Sequence, residues 1–204
     1  MIQKTDLPTT LSFEQESRRS QDQEAWPKVK LAIIGAGAMG KEHIQTALRL
    51  DRAEVHGIYD PFEKNVTQCL AMLNNPAVGR LKNSGLAMLH SLGDDKLREL
   101  SQSLKASCPT KVYKTLDEAC SDPEVDAVII ATPNHTHIDV VKEAARHDKH
   151  ILLEKPMATT LPDAAAIVEL ARDYDPVLQI GLEYRQKQVY LEALYVIQQR
   201  RSIG

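Results

Sequence analysis

Short apolar runs and amphipathic stretches take turns along this chain. Residues 28–35 (KVKLAIIG) form a β-branched apolar run that stops at glycine, the mark of a buried strand. Residues 41–50 (KEHIQTALRL) then change period and put Ile44, Ala47 and Leu48 on one side of a helix. The exchange repeats: strand 53–60, helix 62–73, brief strand 111–114, short helix 115–122 with Thr115 as its cap, strand 125–132, helix 137–149, strand 150–155, helix 159–174, strand 176–184 and helix 188–201. The run VDAVIIAT is apolar almost throughout, as expected for a strand covered on both faces. Such alternation predicts an α/β fold: a doubly wound parallel sheet of six strands with helices on both faces.

Two stretches break the rhythm. Residues 1–27 are polar and aperiodic, which reads as a disordered tail; the alternative is a docking peptide anchored by Trp26. Residues 74–110 insert one or two extra helices, with Leu97, Leu100 and Leu104 on one face. They read as a surface cover for the sheet, or as a partner or lid surface. The expected organisation is therefore a tail, a domain over 28–184 and a short remainder over 185–204.

Composition narrows the function classes. Hydrophobic residues at 43% and charged residues at 26% suffice for a packed core. A net charge of −3 gives no reason to expect nucleic acid or an anionic membrane as partner. Cys69, Cys108 and Cys120 are scattered and form no CxxC pair, which points to a reducing, cytoplasmic setting without a disulfide framework. No signal pattern opens the chain, and no apolar run is long enough to span a bilayer.

The chemistry starts at Gly35-Ala36-Gly37-Ala38-Met39-Gly40. This G-x-G-x-x-G follows a predicted strand and opens a predicted helix, the setting a dinucleotide site needs. Gly35 permits the tight turn, Gly37 lets a pyrophosphate approach the backbone, and Gly40 lets the helix pack on the strand. The helix N-terminus offers N–H groups and partial positive charge to the phosphates. Asp60 ends the second strand 20 residues after Gly40. Its carboxylate can accept both adenosine ribose hydroxyls and would repel a 2′-phosphate, so NAD is favoured over NADP. Asp60 also reads as a turn residue before Pro61.

Two more strand ends carry polar groups. Ala131-Thr132-Pro133-Asn134-His135-Thr136-His137 leaves the fourth strand, where a ligand would lie at the switch in strand order. Two histidines spaced two apart, with no carboxylate or Cys partner in sequence, argue against a metal site; His137 reads as a helix-start or cofactor-contact residue. Glu154-Lys155-Pro156 leaves the fifth strand. An ammonium there can orient a substrate hydroxyl or shuttle its proton; the plainer reading is a solvated lysine before a turn proline.

Taken together, VKLAIIGAGAMGKEHI, IYD, VIIATPNHTH, ILLEKPMA and GLEYR resemble, in order and spacing, the Gfo/Idh/MocA oxidoreductases. The resemblance runs from about Val29 to Gly204, interrupted by the 74–110 insertion. It implies an NAD(P)-binding Rossmann domain in which Gly35, Gly37, Ala38, Met39 and Gly40 line the pyrophosphate and Asp60 the adenosine ribose. It places Ala131, Thr132, Pro133, Asn134 and His137 beside the nicotinamide half of the cofactor. It makes Lys155 the catalytic-site lysine next to Glu154, and puts Arg185 near cofactor or substrate. The implied chemistry is hydride transfer to or from a sugar, polyol or inositol-like alcohol.

Gln186 stands where relatives usually carry an aromatic residue. The larger departure is length. The resemblance implies a C-terminal α/β domain absent after RRSIG, and with it little activity from this chain alone and self-association through the last helix. A non-catalytic dinucleotide-binding regulatory or interaction module is the alternative. A methyltransferase reading fits neither the EKP lysine nor the TPN-x-x-H patch.

Overall fold

A computed structural model describes residues 27–74, 94–182 and 187–198. The elements in chain order are β1 (Val29–Ile34), α1 (Ala38–Ala47), β2 (Ala53–Tyr59), α2 (Glu63–Asn74), α3 (Asp94–Ser107), β3 (Lys111–Val112), α4 (Leu116–Ser121), β4 (Ala127–Ile130), α5 (His137–Arg146), β5 (His150–Leu153), α6 (Leu161–Arg172), β6 (Leu178–Ile180) and α7 (Gln188–Gln198). A 3₁₀ turn at Asn134–Thr136 leads into α5.

The strands form one six-stranded sheet in the order β3-β2-β1-β4-β5-β6. Every pairing is parallel, so all strands end at the same edge. Strand order reverses between β1 and β4, whose register pairs Ile34 with Ile130. This is the doubly wound Rossmann arrangement expected above, and its ligand crevice lies beyond those two strand ends.

The pleat divides the core. Ala32 and Ile34 of β1, Val128 and Ile130 of β4, and Ile151 and Leu153 of β5 pack on one face with Val141, Ala144 and Ile167. Ile33 and Ile129 point the other way, to Ile44, Val55, Ile58, Val66, Leu70 and Met72. Each valine, leucine, isoleucine or methionine among them contributes about 1.5–3 kcal/mol by leaving water. The sheet is thus buried on both sides, which is why its strands read as continuous apolar runs.

Local signals set the element ends. Thr115 caps α4 by accepting the Glu118 N–H at 3.1 Å. Thr160 caps α6 by accepting the Asp163 N–H at 3.2 Å, with Pro162 in the first turn. Helix α1 starts at Ala38, earlier than the apolar spacing suggests, because Gly37 itself is its N-cap. Helix α3, the described part of the insertion, is pinned to α2. Ser101 Oγ donates to Glu63 at 3.0 Å and Lys105 Nζ at 3.2 Å, and these donors hold the Glu63 carboxyl below its ordinary value. The tail with Trp26, residues 75–93, and Arg185 with Gln186 lie outside the described residues.

Candidate functional site

The glycine turn is built as its spacing suggests. Gly35 has φ of +95°, and a Cβ there would lie 2.7 Å from the Ala131 carbonyl at the end of the neighbouring strand. That backbone conformation is open to glycine and strained for other residues. A Cβ on Gly40 would lie 2.0 Å from the Gly35 oxygen, so α1 packs directly on the turn it leaves. A Cβ on Gly37 would meet nothing within 4 Å among the described residues. No side chain caps α1 and no acidic residue occupies its first turn. Its leading N–H groups therefore face an open approach with their dipole uncompensated, the setting that suits a pyrophosphate. Ala36 is buried beneath the turn, and Met39 is partly exposed.

Asp60 sits at the end of β2 and reaches this turn. Its Oδ2 accepts the Ala36 N–H at 2.7 Å, and its Oδ1 accepts the Phe62 N–H at 2.8 Å. Asn65 Nδ2 lies 3.2 Å from Oδ1 and 3.1 Å from Oδ2. The turn-residue reading of Asp60 therefore holds in part, through its bond to Phe62. The bond to Ala36 ties the same carboxylate to the glycine loop. Beneath the loop, Cys69 Sγ faces the Ala36 oxygen at 3.8 Å, and burial pushes its thiol up to about 12. It is an inert core group rather than a nucleophile.

On the far side of the switch point, Ala131 N donates to the Ile34 oxygen at 2.8 Å, locking the two strand ends together. Thr136 Oγ1 bonds Thr132 Oγ1 and the Pro133 oxygen, each at 2.8 Å, and so closes the loop on itself. Pro133 and Asn134 stay exposed. His137 starts α5 but does not project into the crevice. Its ring is fully buried, with Nδ1 3.0 Å from the Pro156 oxygen and Nε2 3.1 Å from the Thr132 oxygen. It braces the TPN loop against the EKP loop.

Glu154 and Lys155 follow β5 directly. Lys155 is exposed and precedes a cis peptide bond to Pro156. Glu154 is buried. Its Oε1 lies 2.8 Å from Nε2 of His43 on α1, and its Oε2 accepts the Lys155 backbone N–H at 3.1 Å. Gly181 past β6 closes the other side: a Cβ there would lie 3.4 Å from Glu154 Oε1. His43 and Asn65 are the residues that sequence reasoning passed over. Asn65 follows Asp60 by five residues within one turn-and-helix start, so a local reading could have found it. His43 contacts a residue 111 positions away, and nothing in its neighbourhood announces the contact.

The described geometry thus brings the glycine turn, Asp60, the TPN loop and the Glu154-Lys155 pair to one sheet edge. Residues 29–182 match the profile of the Gfo/Idh/MocA family, described as an oxidoreductase family with an NAD-binding Rossmann fold. Among curated relatives, the rhizopine catabolism protein MocA of Rhizobium meliloti is 29% identical over 154 residues, covering 76% of this chain and 37% of the relative. The scyllo-inositol 2-dehydrogenase (NAD(+)) of Bacillus subtilis is 37% identical over 166 residues, covering 81% of this chain and 39% of the relative. Among solved structures, myo-inositol dehydrogenase from Lactobacillus casei in complex with NAD(H) and myo-inositol superposes with a TM-score of 0.60 at 27% identity, over 87% of this chain and 43% of that one. The chain therefore spans about two fifths of the length of these relatives. By its profile match and its sheet topology, the chain belongs to the Gfo/Idh/MocA oxidoreductase family.

Proposed function

We propose that the chain is the nucleotide-binding half of an NAD-dependent oxidoreductase acting on the CH–OH group of a sugar, polyol or inositol-like alcohol. One observation carries this reading: the uncapped N-terminus of α1, the Asp60 carboxylate and the Lys155 strand end face one edge of one sheet. A bound nicotinamide supplies the hydride acceptor or donor. The leading N–H groups of α1 bind the pyrophosphate, and Gly37 leaves the backbone bare for it. Asp60 accepts the adenosine ribose hydroxyls, and its charge disfavours a 2′-phosphate, so NAD is preferred to NADP. Thr132, Pro133 and Asn134 line the nicotinamide side. Glu154 and the buried His137 fix the backbone on either side of that space. Lys155 Nζ holds the substrate hydroxyl and takes or returns its proton as hydride moves. Arg185 is assigned to cofactor or substrate by the family likeness alone.

Calorimetry with NAD and NADP tests the reading. Wild type binds NAD more tightly than NADP, and Asp60→Ala weakens NAD strongly. If neither dinucleotide binds at millimolar concentration, the reading is overturned. The relatives are more than twice as long, which keeps a second reading open: a dinucleotide-binding module that works through a partner. Both readings expect little polyol turnover from this chain alone. Robust turnover abolished by Lys155→Ala would decide for the enzyme.

A further inference from the structure

Asp60 is more fully engaged than a waiting ribose partner needs to be. An ionised carboxylate offers about four acceptor positions. Two are filled by backbone donors, Ala36 N–H at 2.7 Å and Phe62 N–H at 2.8 Å. The Asn65 amide straddles both oxygens at 3.1 and 3.2 Å and occupies what is left. The amide must present its nitrogen, since Asn65 Oδ1 in that place would set its lone pairs against two carboxylate oxygens. The backbone donors are fixed, one by the glycine turn and one by the Asp60-Pro61-Phe62 turn. Asn65 is different. It is half-buried in the first turn of α2 and reaches Asp60 through its side chain alone, not through the backbone. Its shared contacts are also the longest of the set, while a ribose diol brings two separate charge-assisted O–H···O bonds.

We propose that Asn65 is an exchangeable placeholder on Asp60: its amide satisfies the carboxylate in the empty protein and is displaced by the adenosine ribose hydroxyls on binding. The inference rests on the reading of Asp60 as the ribose partner. It makes Asn65 a determinant of cofactor affinity with an unusual sign, because the side chain competes with the ligand instead of supporting the site.

The test is calorimetry on the full chain with NAD and, separately, nicotinamide mononucleotide, which lacks the adenosine half. Asn65→Ala should bind NAD about two- to tenfold more tightly, the equivalent of one net hydrogen bond returned to the ligand. Its affinity for the mononucleotide should not change. Asn65→Ser, too short to straddle both oxygens, should move NAD affinity in the same direction. In an Asp60→Asn background the gain should vanish. Unchanged or weaker NAD binding in both Asn65 variants overturns the proposal, as does a gain that persists in Asp60→Asn or extends equally to the mononucleotide. If Asp60→Asn alone binds NAD as well as wild type, the ribose assignment of Asp60 has failed, and this inference falls with it.

Discussion

The contact between His43 and Glu154 permits a quantitative prediction. Glu154 is buried, with a side chain 9% exposed, and His43 Nε2 lies 2.8 Å from its Oε1. Replacing His43 by alanine leaves the buried carboxylate with the Lys155 N–H, at 3.1 Å, as its hydrogen-bond donor among the described residues. Removing a hydrogen-bond partner from a buried carboxylate costs about 1.5–3 kcal/mol. The His43 side chain is 19% exposed, so water reaches the vacated space and repairs part of the loss. We therefore expect His43→Ala to destabilise the chain by about 1–2 kcal/mol, a fall in melting temperature of roughly 2–8 °C for a domain of this size. His43→Gln, which keeps an N–H donor on a flexible stem, should recover part of this. Urea unfolding of His43→Ala, Glu154→Gln and the double variant closes a cycle. A coupling of at least about 1 kcal/mol is expected, since contacting residues do not add. Single effects that sum to the double within about 0.5 kcal/mol would show that the two side chains do not support each other, and the reasoning would fail.

Three further outcomes follow from other parts of the chain. Burial works to raise the Asp122 carboxyl, but Lys111 Nζ at 2.8 Å, the Glu124 N–H at 2.9 Å and Tyr113 OH at 2.9 Å outweigh it and hold the group well below the usual carboxylate range. A depressed carboxylate contributes stability that is complete above its unfolded value, about 4, and is lost as pH falls toward its folded one. Asp122→Asn should thus lose stability at neutral pH, and in acid unfolding curves the gap to wild type should start closing only below about pH 4. Gly57→Ala would set a Cβ 2.1 Å from Tyr113 Cε2, displacing a ring that is also bonded to Asp122; a loss of about 1–3 kcal/mol is expected in urea melts. Val189, Tyr190, Leu191, Leu194, Tyr195 and Ile197 of α7 are all exposed, so sedimentation should show mass rising with concentration, and a constant monomer would count against it.

Much of the fold could be read in advance because its signals are local. Ile33 and Ile129 stand in apolar runs that are covered on both faces, Thr115 sits where a cap belongs, and Gly35 stands where φ is positive. The glycine motif and Asp60 were legible for the same reason, since spacing along one strand-turn-helix unit carries them. What stayed hidden depends on the closed sheet. His137 reads as a helix-start or cofactor-contact residue from its place in the loop; it does start α5, and the fold turns its ring inward between two carbonyls. His43 looks like one more polar residue on a helix until β5 brings Glu154 to it. No described helix is long and apolar enough to cross a membrane, in line with the short apolar runs of the sequence.

The three glycines of the turn differ in who demands them. Gly35 and Gly40 are imposed by the fold itself, because a methyl group at either would collide with backbone. Gly37 is imposed by nothing among the described residues: its φ of −70° suits any residue, and none of them lies within 4 Å of a Cβ placed there. A library of variants selected only for folding should therefore keep the outer two and let position 37 drift. A library selected for cofactor use should keep all three. Tolerance at this single position separates a chain that still handles a dinucleotide from one that has merely inherited the shape.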